Sequence, residues 1–203
     1  ECSGKSRQKG SLAMWYVIQT LTGREQELLR MMERVMGTAW QTDRRCFILY
    51  RECVWRVEGR LRLHIEPLFP SYVFVETADP EQLYFRLKQV PRLSRLLGEG
   101  GNFWPLYEEE ERFLWDMMEA CGKEKEGICR SDRLAVPECW LVRRSLVEVD
   151  EEGTIVRAQG ALEKYLDRMV KQRLRKRSVI IEVPFLGTKR RIQLGIRLEG
   201  DEV

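Results

Sequence analysis

No apolar run in the sequence approaches the roughly 20 residues that a bilayer-spanning helix needs. No apolar segment near its start marks a secretory signal either. The 203 residues hold one histidine, His64, which leaves no room for a His-rich metal site. The six cysteines (Cys2, Cys46, Cys53, Cys121, Cys129 and Cys139) are scattered, and none forms a C-x-x-C pair. Zinc-site spacing is therefore absent, and a disulfide framework is not expected in a chain long enough to build its own core. These absences predict a reduced, cytoplasmic protein with no membrane segment, no metal and no cofactor.

Catalytic constellations are lacking as well. Gly4-Lys5-Ser6 has the ending of a phosphate-binding loop, but neither its leading glycine nor a preceding strand. Gly98-Glu99-Gly100-Gly101 lacks the Lys-Ser/Thr that should follow, and its carboxylate would repel phosphate. Glu108 to Glu111 open a helix, where carboxylates suit the dipole without a metal. His64 falls on the polar side of a hairpin strand, where a solvated ring is expected, and no local signature makes it half of a Cys–His dyad. The expectation is a protein that is not an enzyme.

What the sequence does have is charge unevenly placed. The net charge of +3 argues for no partner. Residues 108–126 are mostly acidic, whereas residues 163–200 carry eleven Lys or Arg against four Asp or Glu, about +7. Such a tail attracts phosphates with an affinity that salt weakens; a solubilising surface is the plainer account.

Residues 1–13 are polar and small, ahead of Met14, and read as a disordered extension or an added remnant. Trp15 to Ile18 is a β-rich run. Thr22 with Glu25 forms a capping box ahead of a helical stripe (Leu28, Leu29, Met32, Val35, Met36) that Gly37 ends. Cys46 to Tyr50 is a strand. Val54 to Val57 and Leu61 to Ile65 flank Glu58-Gly59-Arg60 as a hairpin, with Leu61, Leu63 and Ile65 on one side and Arg60, Arg62, His64 and Glu66 on the other. Tyr72 to Val75 is a further strand. Asp79-Pro80 opens a helix with Leu83, Leu87 and Val90 as its stripe. A Gly-rich loop at 98–105 precedes an acidic helix, Tyr107 to Ala120, whose inner face is Phe113, Leu114, Met117 and Met118. Strand, helix, strands, helix is the order of a ferredoxin-like αβ layer. The polar stretch 122–133 reads as a linker. Beyond it, short apolar alternations punctuated by Gly153, Gly160, Gly187 and Gly195 predict a small β-barrel over 134–203. The fold class is thus α+β. Within the barrel, Leu162, Leu166, Met169, Val170 and Leu174 recur at helical spacing, so residues 161–176 are open between a basic amphipathic helix and a connection or irregular strand.

Two segments carry a family resemblance. Trp15-Tyr16-Val17 followed five residues later by Gly23-Arg24-Glu25 resembles the opening of the NusG N-terminal (NGN) domain. Pro67-Leu68-Phe69-Pro70-Ser71-Tyr72-Val73 resembles the F-P-G-Y-V strand of that domain, with Ser71 in place of the usual glycine. Their order, about fifty residues apart, extends the resemblance over residues 14–121. Gly160-Ala161-Leu162-Glu163 is similar to the G-P-L-x-G-x-E turn of a KOW domain, although Ala161 replaces proline and the second glycine is missing. The tail Gly195-Ile196-Arg197-Leu198 is similar to that of the LoaP-like specialised paralogues in this family.

The resemblance implies an NGN ferredoxin-like αβ sandwich over 14–121 that binds the RNA polymerase clamp, and a KOW-type β-barrel over 134–203. It implies no catalysis. The polymerase contacts carried over are Phe69, Tyr72 and Phe74, with Tyr72 and Phe74 on one strand face and Val73 and Val75 turned to the core; core packing is the alternative account of each ring. Arg24 lies where relatives meet the non-template DNA strand. Lys171, Arg173, Arg175, Lys176 and Arg177, with Lys189, Arg190 and Arg191, form two basic clusters with few aromatics between them, which suits phosphate contacts on a folded RNA hairpin better than base stacking. The expected role is processive antitermination by a monomeric factor. The alternative is a general NusG or RfaH-like factor whose C-terminal domain binds ribosomal protein or Rho, including one whose C-terminal domain switches fold.

Overall fold

A computed structural model describes residues 13–37, 46–90, 94–99, 102–119, 128–131, 134–137 and 140–201. In chain order the first elements are β1 (Met14–Thr20), α1 (Glu25–Met36), β2 (Cys46–Phe47), β3 (Tyr50–Val57), β4 (Arg60–Pro67) and β5 (Tyr72–Thr77). Then come α2 (Pro80–Leu87), β6 (Ser94–Leu96), β7 (Gly98–Glu99), β8 (Asn102–Phe103) and α3 (Glu108–Glu119). The C-terminal elements are β9 (Ile128–Ser131), β10 (Leu134–Pro137), β11 (Leu141–Val142), β12 (Ser145–Val149), β13 (Ile155–Ala158), β14 (Met169–Arg173), β15 (Ser178–Phe185) and β16 (Thr188–Arg197). The described residues fall into two compact units, 13–49 with 69–111, and 50–68 with 112–201. Residues 1–12 and most of the expected linker lie outside the described residues, but Ile128–Ser131 within that linker pairs antiparallel with β10.

The first unit is a four-stranded antiparallel sheet in the order β2-β5-β1-β6. Its central strands are covered on both faces, so they read as near-continuous apolar runs: Trp15 to Ile18 and Val73 to Val75 are all buried. Helix α1 lies against β5 and α2 and turns Leu28, Met32 and Met36 inward. The Asp79 carboxylate caps α2 by accepting from the Gln82 amide at 2.8 Å, and Pro80 fills the first turn as expected. The capping box at α1 does not form. Glu25 is already the first helical residue and no side chain caps the helix. Glu25 instead accepts from the Ser71 amide at 2.7 Å, and the Thr22 hydroxyl bonds the Ser71 hydroxyl at 2.6 Å. Within the expected Gly-rich loop, β7 and β8 form a small antiparallel pair.

The second unit contains a three-stranded sheet, β11-β3-β4, and a five-stranded sheet, β13-β12-β16-β15-β14. The β3–β4 hairpin, read in sequence with the 14–121 domain, has its contacts in this unit. Its two-residue turn has positive φ at both Glu58 (51°) and Gly59 (80°), the twist-matched geometry for a tight hairpin. Arg51 on β3 donates to the Gln193 carbonyl of β16 and pairs with Glu66. Glu52, buried, takes the Arg143 guanidinium at 3.0 Å and the Arg144 amide at 3.1 Å. Gly195 permits this approach, since a Cβ there would collide with the Glu52 carbonyl oxygen.

In the five-stranded sheet Val179, Ile181, Val183 and Phe185 line the core with Ile192, Leu194 and Ile196. Its edge strands are joined by one side chain: Gln172 on β14 donates to the Gly153 carbonyl (2.8 Å) and accepts from the Ile155 amide of β13 (3.0 Å). The stretch 161–176 divides. Gly160–Arg168 is a 3-10 segment broken at Tyr165, and Leu162 is buried with its amide on the Ser145 hydroxyl at 3.0 Å. Met169 to Arg173 is strand β14, and a short 3-10 turn, Leu174–Lys176, follows. The helical spacing ends where β15 offers a strand to pair with, and Val170 consequently faces solvent.

Candidate nucleic-acid interface

The basic side chains gather on strands β14 to β16 and the 174–176 turn. Directly opposed residues share a sheet face. Lys171 lies opposite Ile180 and Arg191 opposite Glu182, with Lys189 opposite Pro184. Even-numbered β15 positions 180, 182 and 184 point away from the core, so Lys171, Lys189 and Arg191 share the outward face of three adjacent strands. Arg190, opposite the buried Val183, belongs to the other face at the strand's exposed end. Arg175 and Lys176 are exposed on the turn, and Arg173 is half-buried. Among the described residues Lys171, Arg173, Arg175 and Lys176 form no ion pair. Lys189 (3.7 Å) and Arg191 (3.3 Å) both reach Glu182, an exposed arrangement of little energetic consequence.

Arg177 departs from the expectation that it joins this basic surface. It sits at φ 48° at the end of the turn and grips Asp201 through two bonds of 2.7 and 2.6 Å, with a third to the Leu174 carbonyl. The bonded Arg177 guanidinium, with the Leu198 amide also donating, holds the Asp201 carboxyl below its ordinary range. Arg177 is therefore a structural tie that fixes the turn bearing Arg175 and Lys176. Asp201 and Gln172 were not legible as partners, because both act through side-chain reach between segments distant in sequence.

The aromatic trio is also redistributed. Phe74 is fully buried, Phe69 is 6% exposed and Tyr72 is half-buried. Phe74 stacks on Phe47 (centroids 5.4 Å) and meets Phe69 edge-on at 5.5 Å; Trp15 packs edge-on against Phe47 at 5.3 Å. An exposed patch formed by Phe69 and Phe74 is thus replaced by a buried aromatic cluster, since β5 lies between β2 and β1 with both faces covered. Arg24 stands exposed at the start of α1 and pairs with Glu27, which raises its pKa. His64 is not a freely solvated ring; it stacks under Trp55 with centroids 4.1 Å apart. Among the described residues no group of His, Cys, Asp and Glu could hold a metal ion. No helix of the described residues is long and apolar enough to cross a membrane.

These features define a mixed α/β chain with a helix-flanked antiparallel sheet and a basic, β-rich C-terminal part. The family model described as transcription termination factor nusG matches residues 13–114, half of the chain, and the chain belongs to the NusG family. It is similar to the transcription termination/antitermination protein NusG of Helicobacter pylori (strain ATCC 700392 / 26695), with 29% identity over 117 residues, 56% of this chain and 66% of that protein. The NusG of Lactococcus lactis subsp. lactis (strain IL1403) is 27% identical over 122 residues, 54% of this chain and 60% of that protein. The chain thus spans a little under two-thirds of the relatives it matches. A solved structure of Thermotoga maritima NusG aligns over 91% of this chain and 94% of its own with a TM-score of 0.47 and 18% identity.

Proposed function

We propose that this chain is a transcription antitermination factor of the specialised, LoaP-like kind. Its NGN domain, residues 14–121, binds the RNA polymerase clamp. Its KOW-type domain, residues 134–203, grips an RNA hairpin from the operon it serves. Binding to polymerase disfavours paused states, a shift of populations rather than a reaction. The observation that carries the RNA half is the basic surface of Lys171, Arg175 and Lys176, exposed and without acidic partners among the described residues. Lys189 and Arg191 extend it on the same outward face. Their spacing suits phosphates, which set position and affinity, rather than base edges.

Tyr72 is the residue of the aromatic trio with partial exposure, so the polymerase contact is assigned to it. Phe69 and Phe74 position it by packing. Arg24 contributes to a non-template DNA contact once released from Glu27. The test is a gel-shift with leader RNA beside a pull-down with polymerase, ribosomal protein and Rho. Charge reversal at Arg175 and Lys176 is expected to abolish the RNA shift and leave polymerase capture intact. RNA binding unchanged by that reversal, with capture of ribosomal protein or Rho, would replace the RNA reading by that of a general NusG or RfaH-like factor.

A further inference from the structure

We infer that the outer end of the β3–β4 hairpin is a second nucleic-acid site, a stacking platform for unpaired bases built on Trp55 and flanked by Arg60 and Arg62. It differs in chemistry from the basic surface of β14 to β16, although β3 itself lies against β16 and the 174–176 turn.

The strand register sets up the platform. Trp55 is directly opposite Arg62, Val57 opposite Arg60 and Cys53 opposite His64. Opposed residues share a face, so Trp55, Val57, Arg60, Arg62 and His64 line one side of the ribbon. Burial changes sharply along it: Glu52, Cys53 and Val54 are buried, whereas Trp55, Arg56 and Val57 are exposed. The hairpin therefore projects beyond the packed part of its unit, with the tight turn at Glu58-Gly59 holding its twist.

Trp55 is 55% exposed. A residue of that size on a solvated ribbon is expected to fold down on apolar neighbours. Here its ring lies nearly parallel to the His64 ring (27°, centroids 4.1 Å), which covers one π-face and leaves the ring open on its solvent side. A stack that ends on an open aromatic face accepts a base, whatever its identity, because every base has a π-face. Arg56, Arg60 and Arg62 are all exposed, and among the described residues none is ion-paired; Arg56 donates to the Gly59 carbonyl at 3.2 Å. Glu58 is the sole acidic residue between Trp55 and His64. Positive charge beside an open aromatic face fits a single strand, whose phosphates and unstacked bases are both available. A duplex offers its phosphates but keeps its bases stacked away.

The experiment measures fluorescence anisotropy of a labelled short oligothymidylate, and of a blunt duplex of equal length, with the full chain at low salt. Lys171→Ser with Arg175→Ser and Lys176→Ser forms the common background, which weakens the other basic surface without placing negative charge on the turn that lies against β3. In that background the oligothymidylate is expected to bind more tightly than the duplex. Trp55→Ala should weaken it roughly tenfold, while Trp55→Phe keeps it within a few-fold. Arg60→Gln with Arg62→Gln should weaken it and flatten its salt dependence. Thermal denaturation of each variant reports on folding, and the double glutamine variant keeps the test decisive if Trp55→Ala unfolds. No binding of oligothymidylate, equal affinity for the duplex, or an affinity indifferent to both sets of substitutions would overturn the inference. So would loss of polymerase capture in Trp55→Ala with oligothymidylate binding intact, which would make the ribbon a protein contact.

Discussion

At the scale of the residue, Ser71 explains a feature that its sequence context only hinted at. The position resembles one where glycine is usual, and the backbone there has φ 74°. An L-residue in that region costs about 1–2 kcal/mol. The cost is offset locally: the Ser71 amide donates to the Glu25 carboxylate, and its hydroxyl bonds Thr22. Ser71→Gly removes the strain, loses one exposed hydroxyl bond and adds freedom to the unfolded chain. The expected net is a gain of up to about 1 kcal/mol in urea-unfolding free energy. Glu25→Ala removes a charged acceptor from a buried position, and a loss of about 2 kcal/mol is expected in the same measurement. A Glu25→Ala variant as stable as the parent would show that the bond to Ser71 is not what holds the turn. The same pair of residues shows where sequence reading stopped. Thr22 and Glu25 have capping-box spacing, but both side chains are drawn to a segment some fifty residues away. Phe74 is parallel: alternation correctly joins it to the face of Tyr72, yet alternation cannot say that Phe47 and Phe69 cover that face.

At the scale of the element, most strands and helices were legible because each has its own periodicity and punctuation. The hairpin of β3 and β4, α2 with its Asp79-Pro80 start, and α3 with Phe113, Leu114 and Met117 inward all follow from local pattern. The 161–176 stretch was not legible, because its apolar spacing fits a helix while β15 competes for its second half. Closure of the five-stranded sheet by Gln172 has no sequence signature either. Gln172→Ala is expected to cost about 1–2 kcal/mol, read by chemical denaturation, because the Ile155 amide and Gly153 carbonyl lose their partner together. Gly195→Ala should cost about 2–3 kcal/mol, since its new methyl group would meet backbone rather than a side chain that can move aside. Asp201 links stability to pH. Its folded pKa lies below the unfolded value near 3.8, so the unfolded chain takes up its proton first as pH falls. The stabilisation is thus present above about pH 4 and is lost as pH drops through the folded pKa. Asp201→Asn should lower the urea midpoint at neutral pH and flatten its decline in acid. An acid limb of unchanged slope would assign the decline to other carboxylates.

At the scale of the whole molecule, charge is segregated rather than abundant. Residues 163–200 hold about +7 of a net +3, so the remainder of the chain is acidic by about −4. A nucleic acid approaching this protein is attracted by one region and repelled on average by the rest, which orients the encounter without any specific contact. The charges that can form lasting phosphate contacts are fewer than the count suggests. Arg177 is held by Asp201, and Lys189 and Arg191 share Glu182. Of the two basic clusters, that leaves Lys171, Arg173, Arg175 and Lys176 as side chains without ion pairs among the described residues. If each neutralises one phosphate, the slope of log affinity against log salt for leader RNA is expected near −3 to −4. Replacing Lys171, Arg175 and Lys176 by serine should reduce that slope by about 2–3 and weaken all RNAs nearly equally, since phosphate contacts carry no sequence information. Arg177→Ser should behave differently: it unties the turn, lowers stability and changes affinity with little change in slope. Filter binding across a salt series, with thermal denaturation of each variant, separates the two behaviours. Equal slopes for the parent and the triple serine variant would remove the basic surface from RNA binding, whatever its affinity at a single salt concentration.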